Sequence, residues 1–116
     1  MASAGILQRD TDRELRSQIQ AVEGRPREPF GRTFHIHQLD GARLEAMVSL
    51  DPAGVRIEWV HGKGDCAITG SGASILSLLR GGIGADEGVA DGTLVLYGDG
   101  DLVRMAPAIF SAVSTV

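Results

Sequence analysis

His35 and His37 are the side chains of this chain whose type and spacing come nearest to a reactive pattern. Residues at i and i+2 of a strand leave the same face, and two imidazoles on one face can share a metal ion. A third ligand would have to come from His61, Glu45 or Cys66, none of which the sequence places beside them. Phe34 and Ile36 claim the opposite face for a core. The expected state is therefore an exposed or hydrogen-bonded histidine pair, with a metal site as the alternative. Cys66 sits in a strand-like stretch without an accompanying motif and reads as a small buried hydrophobe rather than a reactive thiolate.

Two further patterns resolve to structure. Gly70-Ser71-Gly72 resembles the start of a dinucleotide fingerprint, but the later glycine position holds Ile75 and no second βαβ half follows, so a structural turn is expected. Asp99-Gly100-Asp101 lacks the remaining oxygen ligands of a calcium loop and reads as a strand-to-helix corner with Asp99 as N-cap. No Ser-His-Asp or paired-carboxylate spacing stands out. No catalytic residue, metal or cofactor is assigned, and function has to be sought in a cavity.

The elements that would build such a cavity follow from periodicity. Thr11 and Glu14 have the spacing of a capping box, and Leu15, Ile19 and Val22 fall on one helical face. A helix over about 11–23 is expected, stopped by Gly24 and followed by a linker over 24–31 that contains Pro26 and Pro29. From Arg32 the period becomes two. Phe34 and Ile36, then Leu44, Ala46, Val48 and Leu50, then Val55, Ile57 and Trp59 alternate with outward residues that are polar apart from Met47, separated by Asp40-Gly41 and by Asp51-Pro52-Ala53-Gly54. Three such strands form an antiparallel meander with one apolar face that needs a cover.

A short fourth strand, Asp65–Thr69, leads to a helix capped by Ser71 or Ser74 and carrying Ile75, Leu76, Leu78 and Leu79. A helix that is apolar on most of its circumference is buried or lines a pocket. Gly81, Gly82 and Gly84 end it, and 85–91 reads as a loop or short helical turn. Leu94 and Leu96 alternate in a fifth strand, after which Leu102, Val103, Met105, Ala106, Ile109, Phe110 and Val113 form a helical stripe. Pro107 interrupts that stripe, so a kink or two short helices are expected there. The unbranched Met105 suits a gate beside the kink.

At 116 residues the chain fits one domain over 1–116, with its sheet and later helices over 32–116. Hydrophobic residues are 43% but aromatics only 4%, so the core is built from aliphatic side chains. The net charge of −4 argues against nucleic acid. Residues 1–32 hold six Arg against five acidic residues, an interleaving that reads as a solvated helix face rather than a membrane patch. A single cysteine allows no internal disulfide and favours a reducing interior. The opening residues do not read as a signal peptide and Ser114-Thr115-Val116 does not read as a peroxisomal address, so neither signal is expected, and no apolar run reaches spanning length. A cytoplasmic protein is expected. Arginine supplies ten of the eleven basic residues, which hints at a GC-rich bacterial genome.

Three blocks carry a family resemblance. Asp65-Cys66-Ala67-Ile68-Thr69, the Leu-rich helix Ile75 to Gly81, and Gly92-Thr93-Leu94-Val95-Leu96-Tyr97-Gly98-Asp99 resemble, in order and spacing, the sterol carrier protein type 2 domains. Arg32-Thr33-Phe34-His35-Ile36-His37 is also similar to the opening of the C-terminal domain of mycothiol-dependent maleylpyruvate isomerases. The metal chemistry of those isomerases resides in a separate helical bundle and is not carried over to this chain. The first resemblance implies an α+β fold, a five-stranded, mainly antiparallel sheet covered by helices around an apolar tunnel for acyl chains, sterols or phospholipids. Non-enzymatic binding of a lipid or other apolar small molecule is the leading expectation. The expected lining is Trp59, Leu76, Leu79, Leu94, Leu96, Met105, Ile109 and Phe110.

The alternative is a protein-interaction or accessory module with a filled core, either a homodimer or the partner of an enzyme, suggested by the outward-facing Met47, Val60 and Val95. An enzyme using His35, His37 or Arg32 ranks last. The expected partners are an apolar small molecule or fatty acyl lipid and no nucleic acid. Peripheral membrane contact and dimer formation are compatible with that reading.

Overall fold

The computed structural model describes residues 2–111, with side chains from Gln8 onward. Val113, placed on the closing stripe by its spacing, lies outside the described residues. Helix α1 runs Ala2–Gln20, followed by strands β1 Thr33–Gln38, β2 Glu45–Ser49, β3 Arg56–Glu58 and β4 Cys66–Gly70. Helices α2 Gly72–Leu79 and α3 Ala85–Ala90, strand β5 Leu94–Gly98, and helices α4 Gly100–Arg104 and α5 Ala106–Ile109 complete the order. The five strands form one sheet in the order β3-β2-β1-β4-β5. Among the strand pairs of the described residues the central pair β1–β4 is parallel and the other three are antiparallel.

Two adjacent rows of paired residues define the two faces. Ile57, Val48, Phe34, Cys66 and Gly98 are paired across the five strands on the inner side. Glu58, Met47, His35, Ala67 and Tyr97 are paired across the same strands on the outer side. Period-two alternation puts these rows on opposite faces. The inner face is covered by Leu15, Ile19 and Val22 of α1 and its following turn, by the apolar side of α2, and by Leu102, Val103, Ala106, Ile109 and Phe110.

The N-terminal helix starts well before the expected boundary. Its backbone is helical from Ala2, so Thr11 is a mid-helix residue and does not cap a helix start. Ala2, Ala4 and Leu7 are strong helix formers and no proline intervenes, so the helical run extends upstream. Asp12 ties the helix to the β1–β2 turn, accepting from the Gln38 side-chain amide at 2.7 Å and from the Ala42 N–H at 3.1 Å. The fully buried Gln38 also accepts from Leu44 N–H, which satisfies both ends of its amide. Gly24, at φ +83, leads the chain out of the helical turn, and its N–H meets the Val55 carbonyl at 2.8 Å.

The expected caps and break appear in the second half. Ser71 caps α2 by accepting from Ser74 N–H, and Asp99 caps α4 by accepting from Asp101 and Leu102 N–H. The closing segment is two short helices that meet at Met105, with Pro107 in the first turn of α5, where its missing N–H has no helical partner to lose.

Candidate functional site

Two places could carry function, one on each face of the sheet. On the inner face the expected lining residues converge. Leu79 and Phe110 are fully buried, and Leu76, Leu94 and Ile109 nearly so. Leu96 and Trp59 are half-buried against the same cluster, Trp59 lying under the Arg16 guanidinium at 4.3 Å. These side chains pack into one continuous apolar layer. A depression of about 330 Å³ touches one of them, Leu76, and lies between α1 and α2 beside Thr11, Ser77 and Arg80.

Met105 departs from the expectation. It is 42% exposed and points away from the layer. The buried positions 102, 103, 106, 109 and 110 set the inward phase, and Met105 falls between them on the solvent side. A gate at Met105 is therefore not what this geometry offers.

The outer face carries the histidines. From Glu58 the chain re-enters the sheet at Cys66 on the far side of β1, so residues 59–65 cross β2 and β1. Three strand spacings are about 14 Å, within reach of the roughly 23 Å that seven extended residues can span. The crossing passes over the outer face. Any Cβ at Gly62 would press on the Met47 side chain at 2.7 Å, and one at Gly64 would meet the backbone of Thr33, His35 and Cys66 at 3.0 Å. Glycine at both positions lets the crossover lie close to the strands.

That path sets His61 over His35 and Glu45. Glu45 Oε2 is 2.6 Å from His35 Nε2 and 2.5 Å from His61 Nδ1. The His35 and His61 rings meet edge to face at 5.4 Å, and His37 stacks on His35 at 5.8 Å. His35 is only 9% exposed, covered by the crossover, whereas the His61 side chain is 81% exposed. Partial burial pushes the Glu45 carboxyl up, but hydrogen bonds from His61 and His35 outweigh it and hold the group below the usual carboxylate range. Beside this cluster is a depression of about 220 Å³ bordered by His35, Gly62, Gly64, Ala67 and Tyr97.

Sequence spacing identified His35 and His37 as neighbours on one face but left His61 and Glu45 as distant alternatives. The structure brings His61 and Glu45 to His35 through the β1–β2 register and the crossover, neither of which has a local signature. His37 stands one step along the strand, outside the converging three. Cys66 belongs to the inner face, where burial and the negative Asp99 and Asp65 push its thiol up to about 12. It is an inert core residue, in keeping with its sequence context.

No family model matches the sequence, and no curated protein matches it. Solved structures match at the level of the fold. A ubiquinone synthesis protein, UbiJ-SCP2, is 17% identical over 82% of this chain and 76% of its own, with a TM-score of 0.55. Sterol carrier protein 2 from Aedes aegypti, solved in complex with the C16 fatty acid palmitate, is 11% identical over 88% of this chain and 93% of its own, TM-score 0.56. An inverting sec-alkylsulfatase from Pseudomonas is 14% identical over 73% of this chain at a TM-score of 0.58, and the match spans 13% of that longer enzyme. The chain has the sterol carrier protein type 2 fold, a mostly antiparallel five-stranded sheet with helices. No helix among the described residues is long and apolar enough to cross a membrane.

Proposed function

We propose that this chain is a non-enzymatic, cytoplasmic binding domain for an apolar small molecule, most simply a fatty acyl chain, held between the inner face of the sheet and the helices. The observation that carries this reading is the build of the apolar layer's lid. One side of the layer is closed by helices of five and four residues, α4 and α5, instead of one long helix. Each is short enough to be displaced as a unit, giving up the burial of Leu102, Val103, Ala106, Ile109 and Phe110 as it opens. An acyl chain entering there would recover roughly 0.8 kcal/mol per buried methylene, replacing the contacts given up. Leu76, Leu79, Leu94, Leu96, Ile109 and Phe110 would line the opened space, with the depression at Leu76 as a second approach. Palmitate in the Aedes neighbour of the same fold supports the ligand class.

Native mass spectrometry of the freshly purified chain tests the reading. Bound species heavier by one fatty acid, lost on delipidation and regained with palmitate, are expected. A bare chain in every preparation that also takes up no palmitate contradicts it.

A second reading, an interaction module with a filled core, is favoured by one observation. Val60, Val95 and Tyr97 are exposed on the outer side, the last two on β5, which is an edge strand. An exposed edge with apolar side chains is a pairing surface. Sedimentation over a wide concentration range separates the readings, since a strict monomer without partners counts against this one.

A further inference from the structure

We propose that His35, Glu45 and His61 form a binding site for a divalent first-row transition-metal ion of the zinc type, on the outer face of the sheet and independent of the apolar layer. The three side chains come from β1, from β2 and from the crossover between β3 and β4, and their ligating atoms all lie within 4.8 Å of one another. Two imidazole nitrogens and one carboxylate oxygen are the donor set that suits zinc and its neighbours. Calcium and magnesium demand oxygen alone.

The site is built into the fold. Glu45 is the diagonal cross-strand neighbour of His35, because His35 pairs with Met47 and His37 with Glu45. His61 is delivered by a crossover that Gly62 and Gly64 allow to lie against the strands. His37 stacks on His35 at an interplanar angle of 28° and limits the rotation of its ring. The present spacings of 2.6 and 2.5 Å are those of hydrogen bonds to one carboxylate oxygen. An ion with bonds of about 2.0–2.1 Å in tetrahedral array needs donors roughly 3.3 Å apart. The ion therefore replaces the two bridging protons, and the exposed His61 moves outward to make room. Each neutral imidazole transfers its proton, through solvent, to its other ring nitrogen, and the freed lone pair binds the metal. An imidazolium instead releases one proton to the buffer. Three protein ligands leave a coordination position for water or a small ligand, the arrangement of catalytic rather than purely structural zinc sites.

The full chain, stripped with a chelator, is titrated with zinc by calorimetry and with cobalt(II) by visible absorption. One ion per chain is expected, with the intense d–d bands of a four- or five-coordinate cobalt site, and no response to magnesium or calcium. His61→Ala and Glu45→Gln should each weaken zinc binding by at least about tenfold, while His37→Ala leaves the stoichiometry at one. His61 is exposed, so its alanine variant should melt like the parent. Absence of saturable zinc binding overturns the proposal, as does zinc binding that survives both substitutions unchanged. Failure here leaves the apolar-ligand reading standing, because no residue is shared between the two.

Discussion

Phe34 of β1 and Phe110 at the end of α5 meet edge to face, with ring centroids 5.5 Å apart and planes at 77°. Both are fully buried. The contact holds α5 against the middle of the sheet while the apolar layer is closed. Phe110→Ala should cost about 3–5 kcal/mol of folding stability, as deletion of a buried ring usually does. Phe110→Leu should cost less and serves if the alanine variant does not fold. Paired urea-unfolding and fatty-acid titration curves check the point. A ligand-binding layer loses affinity beyond what the stability loss explains, whereas unchanged affinity in a destabilised variant takes Phe110 out of the lining.

Arg32 Nη2 lies 2.5 Å from Asp99 Oδ2 and its Nε lies 3.4 Å from Asp65, joining the start of β1 to the corner that begins α4. The Leu102 N–H, together with the Arg32 guanidinium, holds the Asp99 carboxyl below its usual range. The Thr33 N–H and hydroxyl and Arg32 do the same for Asp65. A carboxyl depressed in the folded state contributes stability fully above its unfolded pKa, about 3.9 for Asp, and loses it as pH falls through the depressed value. Asp99→Asn keeps a capping side chain but removes the charge. Its urea midpoint should lie below the parent's at neutral pH, and the gap should close as the pH is taken well under the ordinary carboxylate range. A gap that stays constant with pH would remove Asp99 from the acid response.

Gly98 sits at φ +80, and a Cβ there would press into the Asp65 carbonyl oxygen and lie 2.9 Å from Cys66 Cα. Gly92 has a similar φ of +76 but open space around it. The left-handed backbone alone costs an L-residue about 1–2 kcal/mol. Gly92→Ala should show that cost by urea unfolding, and Gly98→Ala should show more, because β4 and β5 must separate to admit the methyl. Equal losses would mean that the corner yields without strain.

Much of this architecture was readable from local chemistry. The alternation of Phe34, Ile36, Ala46 and Val48 marks strands whose apolar face is inner, and Asp99 and one of the two candidate serines cap the helices as their side-chain chemistry requires. The start of α1 was misread because Thr11 and Glu14 mimic a capping box inside a continuous helical run. Met105 was misread because a stripe counted through Pro107 ignores the phase that buries Ala106 and Ile109. The meeting of His35, Glu45 and His61 was out of reach for a different reason. It depends on the pairing of His37 with Glu45 and on a crossover that must traverse two strands, and both are decided by tertiary packing.

Titration of the delipidated chain with a fluorescent fatty acid, followed by displacement with palmitate, tests the proposed apolar-ligand function most directly. A saturable isotherm with one site per chain, reversed by unlabelled palmitate, is the expected outcome. A linear, non-saturating response up to high micromolar ligand would mean that the layer between sheet and helices stays a closed core.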